Sequence, residues 1–435
     1  MTLLVISPDY ASHLYPLATL ATAWRDAGER VVVATGPATD DIVHGFGYER
    51  EQLQLGRGSN PGVIRAEDQP SGEDDALRGF FDATRRGAIP TLEFQAHARR
   101  DDLLWNPTGV ARDVLDVVAR VRPDHIVVDH LAFGARIALV AAGLRHADVV
   151  LGHPSALTVG DEVYGLPPAF PTAIRPHDAE LDRLRQICND VRDGFTQQWN
   201  DALTRLDPGA TPSRDAFAEA GDVLLLNYPE ELHPLERTHL LPPHAFLGSA
   251  VRTEPVDVEV EAWLAREDRP IVYVSLGSFL SVRGDVLAAI AAALRPLEVR
   301  VALASGSTPA TDLGQVPESW LVRDVLPQVT LLAHAALAVS HGGNNSVTEA
   351  LTASVPLLVL PLSTDQFAGA AALEDAGLGE ALDPNSAAPD EIRDAAQRLL
   401  ALPEPARRRL DALGASLVAS PGADRAREAL LASES

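Results

Sequence analysis

Short apolar runs recur along the chain at helix-length intervals. Residues 3–6 (Leu-Leu-Val-Ile) precede Leu17, Leu20, Ala21 and Trp24 at helical spacing, and Val31, Val32 and Val33 follow, a strand–helix–strand signal. Further runs at 126–128, 149–151 and 223–226 are bounded by Asp, Gly or Pro and separated by helix-length segments. Runs that do not alternate with polar residues are those of strands buried on both faces, so a parallel sheet covered by helices is expected. The pattern restarts at 271–274, 299–303, 337–339 and 357–360, again with Ala-rich segments between. Two Rossmann-like, doubly wound α/β domains facing each other across a cleft are therefore predicted, with ligand-contacting residues just after the strands.

Residues 249–261 carry Thr253, Glu254 and Pro255, then acids at Asp257, Glu259 and Glu261, without either apolar period. The predicted division is an N-terminal domain (1–250), a linker (251–262) and a C-terminal domain (263–410). A final helical segment (411–435) is expected to pack back on the first domain. The Gly-, Pro-, Ser- and Asp-rich stretch 56–75 reads as a long mobile loop, placed to border a ligand pocket.

A chain of 435 residues exceeds what one hydrophobic core usually serves, and no apolar run is long enough to span a membrane. The opening residues show neither a basic leader nor a small-residue cleavage site, so a cytoplasmic location is expected. Cys188, the single cysteine, excludes an intrachain disulfide and a thiolate-rich metal site. The formal charge of −25 and the lack of a basic tract argue against a nucleic-acid partner. Every basic residue is Arg, which removes Lys as a catalytic group. A phosphate-bearing ligand must then be held by local dipoles, helix N-termini first.

The most informative stretch is 340–349, Ser-His-Gly-Gly-Asn-Asn-Ser-Val-Thr-Glu, between a predicted strand and an Ala/Leu helix. Two glycines let the backbone approach a ligand, and the helix start offers unpaired N–H groups suited to a diphosphate. The same residues also fit a tight turn followed by a Ser346-x-x-Glu349 capping box. Context favours the first reading. His341, Gly342, Gly343, Asn345, Ser346, Glu349, Asp365 and Gln366, with Leu326, Pro327 and Gln328 upstream, resemble the donor signature of the UDP-glycosyltransferases. These are family 1 inverting glycosyltransferases of GT-B fold, and the closer resemblance is to the bacterial natural-product type.

The resemblance implies an acceptor-binding first domain and a donor-binding second one, in which Gly343 is part of the donor site, His341, Asn345 and Ser346 meet the diphosphate, and Glu349 accepts from the ribose hydroxyls. Asp365 and Gln366 would hold sugar hydroxyls, Ser278 would reach a phosphate oxygen, and Val325 and Gln328 would flank the base. Val325 stands where plant members carry a base-stacking Trp, while Glu349 favours a UDP-sugar over a dTDP-sugar. The nucleotide sugar is a cosubstrate, and no resident cofactor or metal is implied. No Asp-x-Asp follows a strand.

After the first strand comes Ser-Pro-Asp-Tyr-Ala-Ser-His-Leu-Tyr-Pro (7–16), where the family shows Gly-His-x-x-Pro. Pro16 is expected to start the helix. His13 is the implied general base, since an acceptor hydroxyl is too weakly acidic to ionise unaided. Asp129, after the 126–128 run, is the candidate to orient it, with Asp9 as an alternative partner and His130 as a competing polar group. Phe80, Phe81, Phe94, Trp105, Phe133, Tyr164, Phe170 and Trp199 are available for an apolar pocket, so a small hydrophobic or aromatic natural-product acceptor with a nucleophilic hydroxyl is expected. A non-catalytic nucleotide-sugar-binding activator of another transferase is the rival, against which His13 speaks. A nicotinamide dehydrogenase is discounted because no G-x-G-x-x-G follows the first strand.

Overall fold

The computed structural model describes residues 1–62, 73–266 and 269–433, with the side chains of 73–76, 101, 102, 278 and 279 left aside. The expected loop at 56–75 thus lies largely outside the described residues. The first sheet holds β1 (Thr2–Ile6), β2 (Arg30–Thr35), β3 (Glu49–Gln52), β4 (His125–Asp129), β5 (Ala147–Val150), β6 (Val223–Leu226) and β7 (His244–Phe246) in the order 3-2-1-4-5-6-7. The second holds β8 (Ile271–Ser275), β9 (Arg300–Ala304), β10 (Leu321–Arg323), β11 (Ala335–Ser340), β12 (Leu357–Val359) and β13 (Gly379–Ala381) in the order 10-9-8-11-12-13. Every strand pair in both sheets is parallel.

The pleat explains the unbroken apolar runs. In β1, Leu3 and Val5 enter one core while Leu4 and Ile6 enter another on the opposite face. In β8, Val272 and Val274 are likewise separated from Ile271 and Tyr273. Strand order reverses between β1 and β4 in one sheet and between β8 and β11 in the other, and crevices open at such points beyond the carboxyl ends.

Three expectations are corrected. The stretch 251–262 is not featureless, because Asp257 accepts from the Glu259 and Val260 amides at 3.1 Å and so caps a helix, Val258–Leu264. That helix buries only Val260 and Trp263, too few positions to show a period. Pro16 does not open its helix, which spans Ala11–Leu20 and holds the proline inside. Phe80 and Phe81, on the Glu73–Arg86 helix, pack into the core of the second sheet with Val272 and Leu287 rather than around a pocket.

The final helix, Gly422–Ala432, sends Ala426 and Leu430 into the core beside Leu3, Leu17 and Trp24 of the first sheet. Arg427 pairs with Glu29 at 2.7 Å. The chain end therefore ties the two halves together.

Candidate active site

The loops after β1, β4, β5, β8 and β11 surround a cavity of about 600 Å³ between the sheets. From the first domain it is lined by His13 and Asp129 among others, and from the second by His341, Gly343, Asn345, Ser346, Asp365 and Gln366. Val325, Gln328 and Glu349 do not line it, and the Ser278 side chain lies outside the described residues.

Neighbouring strands bring His13 and Asp129 together, since β1 pairs with β4 and Ile6 is in register with Val128. His13 Nδ1 lies 2.7 Å from Asp129 Oδ2, and Asp129 Oδ1 accepts from the Leu131 amide at 2.8 Å. Asp129 is buried, whereas a quarter of the imidazole surface stays open (26%). With Nδ1–H donated to the carboxylate, Nε2 is left with its lone pair. Burial lowers the His13 pKa, but the Asp129 charge, its hydrogen bond and the Asp365 charge outweigh that, so the net shift is upward from 6.5. Asp9 is committed elsewhere, accepting from the amides of Ala38 and Thr39 and from the Thr39 hydroxyl. His130 is buried beside Asp148 and Arg136, and burial lowers its pKa.

Across the cavity the Asn344–Thr352 helix starts at Gly343 with no side-chain cap, so its first amides are unpaired. The capping-box alternative does not form. Ser346 is already inside the helix, and its hydroxyl donates to Gln328 Oε1 at 3.3 Å. His341 is boxed between glycines: a Cβ at Gly343 would fall 2.5 Å from His341 Nε2, and one at Gly277 2.8 Å from Cε1. Burial pushes the His341 pKa down to about 4, so the ring is neutral and can donate from one nitrogen.

Proline 16 acquires a second meaning here. It has no N–H to give the Ser12 carbonyl four residues earlier, and that carbonyl instead accepts from Asn345 Nδ2 of the other domain at 3.1 Å. Asn344, which the sequence reading passed over, spans the cleft as well. Its Nδ2 donates to the Leu151 and Asn227 carbonyls, at the ends of β5 and β6, both at 2.8 Å. Its place inside the 340–349 motif was the available signal.

Two expected sugar ligands line the cavity with bonds already made. Asp365 accepts from the His153 amide at 2.6 Å and from Thr364 Oγ1 at 2.8 Å. Gln366 Oε1 accepts from the Leu362 and Ser363 amides at 2.9 and 3.1 Å, holding its own loop. Glu349, the expected ribose ligand, is withdrawn: its oxygens meet Arg252 Nη1 at 2.7 Å and Gln328 Nε2 at 2.5 Å. Arg252 also pairs with Glu254 at 2.7 Å and lies over the Tyr15 ring, 5.3 Å from its centroid. Burial pushes the Glu349 pKa up, against Arg252 and Gln328, and the net shift is upward. Val325 is exposed (62%). Of the proposed pocket aromatics, only Tyr164 reaches the cavity wall, while Phe133 and Trp199 are core. Among the described residues no group of three or more His, Cys, Asp or Glu side chains is disposed to hold a metal ion.

Paired parallel-sheet domains with facing carboxyl ends and an interdomain cavity define the class as GT-B. Solved structures agree on the fold. The calicheamicin glycosyltransferase CalG4 superposes with TM-score 0.67 at 20% identity, covering 99% of this chain and 97% of that one. The glycosyltransferase VinC in complex with dTDP gives 0.67 at 19%, covering all of both chains (100%). Residues 192–404 match the family described as UDP-glucoronosyl and UDP-glucosyl transferase. A demethyllactenocin mycarosyltransferase of Streptomyces fradiae is 36% identical over 141 residues, 32% of this chain and 30% of that protein. An NDP-glycosyltransferase, YjiC, of Bacillus licheniformis is 25% identical over 213 residues, 49% of this chain and 53% of that protein. The matches thus span about half the length of these relatives or less.

Proposed function

We propose that this chain is an inverting, metal-independent glycosyltransferase. It moves a hexose from a nucleoside-diphosphate sugar to a hydroxyl of a small hydrophobic or aromatic natural product, in the cytoplasm. The observation that carries the reading is the His13–Asp129 pair at 2.7 Å facing, across one cavity, the uncapped start of the Asn344–Thr352 helix.

In this reading the diphosphate rests on the amides of Asn344, Asn345 and Ser346, with the His341 N–H beside it. The acceptor hydroxyl passes its proton to His13 Nε2 as its oxygen bonds to the anomeric carbon from the opposite face. The bond from that carbon to the phosphate oxygen breaks, and the charge arriving on the diphosphate meets donors already in place. Asp129 stabilises the imidazolium that forms. Asp365 and Gln366 orient the sugar once it displaces part of their present bonding. A cavity of about 600 Å³ has the size of small-molecule sites.

UDP is the favoured nucleotide, because Glu349 can accept from both ribose hydroxyls when Arg252 yields it. A second reading, a dTDP-sugar, is favoured by the Arg252–Glu349 pair as it stands, since a 2′-deoxyribose asks less of that carboxylate. Assays of UDP- and dTDP-hexoses against phenolic and macrolide acceptors test the reading, with NMR of the anomeric centre in the product. Retained anomeric configuration, or equal turnover by a His13→Ala variant, would overturn it.

A further inference from the structure

The cavity contains one charged side chain that no described neighbour neutralises. Arg99, in the last turn of the Ala88–Asp102 helix, forms part of the wall beside Leu166 and Pro167. It is half-buried and, among the described residues, makes no ion pair and no side-chain hydrogen bond. The acids of the wall, among the described residues, are committed, Asp129 to His13 and the Leu131 amide, Asp365 to the His153 amide and Thr364. Elsewhere the buried arginines use their donors: Arg136 meets Asp148 at 2.8 Å, Arg237 meets Glu162 at 2.8 Å, Arg283 meets Asp285 at 2.7 Å, and Arg300 donates to the Trp263 and Leu264 carbonyls at 2.7 and 3.2 Å. In a chain of formal charge −25, a cavity-wall arginine with no ion-pair partner among the described residues is out of pattern.

Its surroundings hold it in place without using its donors. The guanidinium carbon lies 5.0 Å from the centroid of the Tyr164 ring. That ring is itself stacked on Phe217 at 3.9 Å with 6° between planes, so the platform is rigid. Gly165 follows at φ +90°, and a Cβ there would lie 3.6 Å from Arg99 Nη1 and 3.3 Å from Cys188 Sγ. Bonding to the ring face leaves the five N–H donors at the guanidinium edge uncommitted among the described residues, in the geometry that pairs two-to-two with a carboxylate.

We infer that Arg99 anchors an acceptor carboxylate, so that the preferred acceptor is an acid carrying its nucleophilic hydroxyl at a distance, with His13 at one end and Arg99 at the other. A carboxylate suits the site better than a phosphate, because among the described residues no second guanidinium joins Arg99 in the wall and Asp129 and Asp365 would repel a dianion. This inference rests on the transferase reading and names its acceptor class.

Calorimetric titration of the full chain saturated with UDP, or with dTDP if that binds better, tests it. The probes are 4-hydroxycinnamate and its methyl ester, which share ring and hydroxyl and differ in one charge. The acid is expected to bind the wild type roughly tenfold or more tighter than the ester. Arg99→Gln should bring the two within about threefold without changing nucleotide affinity, and Arg99→Lys should keep part of the preference. If Arg99→Gln melts early, the Lys variant and the wild-type ratio still decide. Equal binding, ester preference, no acid binding to nucleotide-loaded wild type, or an acid preference that survives in Arg99→Gln each overturns the inference and leaves the donor site standing. Binding of neither nucleotide overturns the donor-site reading, and the inference falls with it.

Discussion

Replacing Asp129 with Asn keeps the shape of the pair and removes its charge. In the proposed transfer step His13 becomes an imidazolium, with Nδ1 2.7 Å from Asp129 Oδ2 and the carboxylate almost wholly buried. Two unit charges with centres roughly 4 Å apart attract by about 4 kcal/mol at an effective dielectric near 20. At about 1.4 kcal/mol per decade, losing that attraction slows turnover about a thousandfold. An amide can also donate to Nδ1, which would place the ring proton on Nε2 and block proton acceptance there. The assay is kcat at saturating donor and acceptor as a function of pH. Because Asp129 raises the His13 pKa, the acidic limb of the wild-type profile should lie above 6.5 and move down in the variant. Stability has its own sign. A raised folded pKa gives stability that is complete below the unfolded value of 6.5 and is lost as pH rises through the folded one. Asp129→Asn should therefore lower the melting temperature more at about pH 5.5 than at about pH 8.5. A fall in kcat of less than about tenfold with no movement of the limb would refute the assigned roles.

Arg252→Ala leaves Glu349 and Glu254 without their cation and should cost roughly 3 kcal/mol in chemical denaturation; UDP, with two hydroxyls to offer, should restore the melting temperature more than dTDP does, and equal restoration would remove Glu349 from the ribose site. Gly343→Ala is tolerated by its backbone (φ −60°, ψ 136°), so the contact 2.5 Å from His341 Nε2 is what it tests; nucleotide affinity by calorimetry should drop about tenfold or more, and an unchanged value would separate His341 from the diphosphate. Asn344→Ala deprives the Leu151 and Asn227 carbonyls of their donor, which at about 1 kcal/mol each predicts a loss of about 2 kcal/mol; a thermal melt unaltered by the change would show that these bonds do not hold the domains together.

The sequence was legible where burial left a pattern. β1, β4, β8 and β11 read as unbroken apolar runs because both of their faces meet helices. The edge strand β3, Glu-Arg-Glu-Gln, has no buried position and is held by its backbone pairing with β2, so no side-chain period could announce it. Pro16 read as a helix start because that is its common place. Only the three-dimensional neighbourhood shows that its missing N–H is answered by Asn345 from the other domain. The 340–349 motif pointed to the second wall of the cavity, yet the engagement of Glu349 by Arg252 joins positions far apart in the chain and has no local signature. Asp129 is the sequence's candidate partner for His13 with Asp9 as the alternative; the adjacency of β1 and β4 sets Asp129 beside His13, and a turn of chain at Thr39 claims Asp9.

The most direct test is a crystal structure of the chain with an intact nucleoside-diphosphate sugar. The account predicts diphosphate oxygens within hydrogen-bond distance of the Asn345 and Ser346 amides, and His13 Nε2 on the side of the anomeric carbon away from the phosphate. A nucleotide bound outside the cavity, or an imidazole turned away from the sugar with its bond to Asp129 broken, would contradict it.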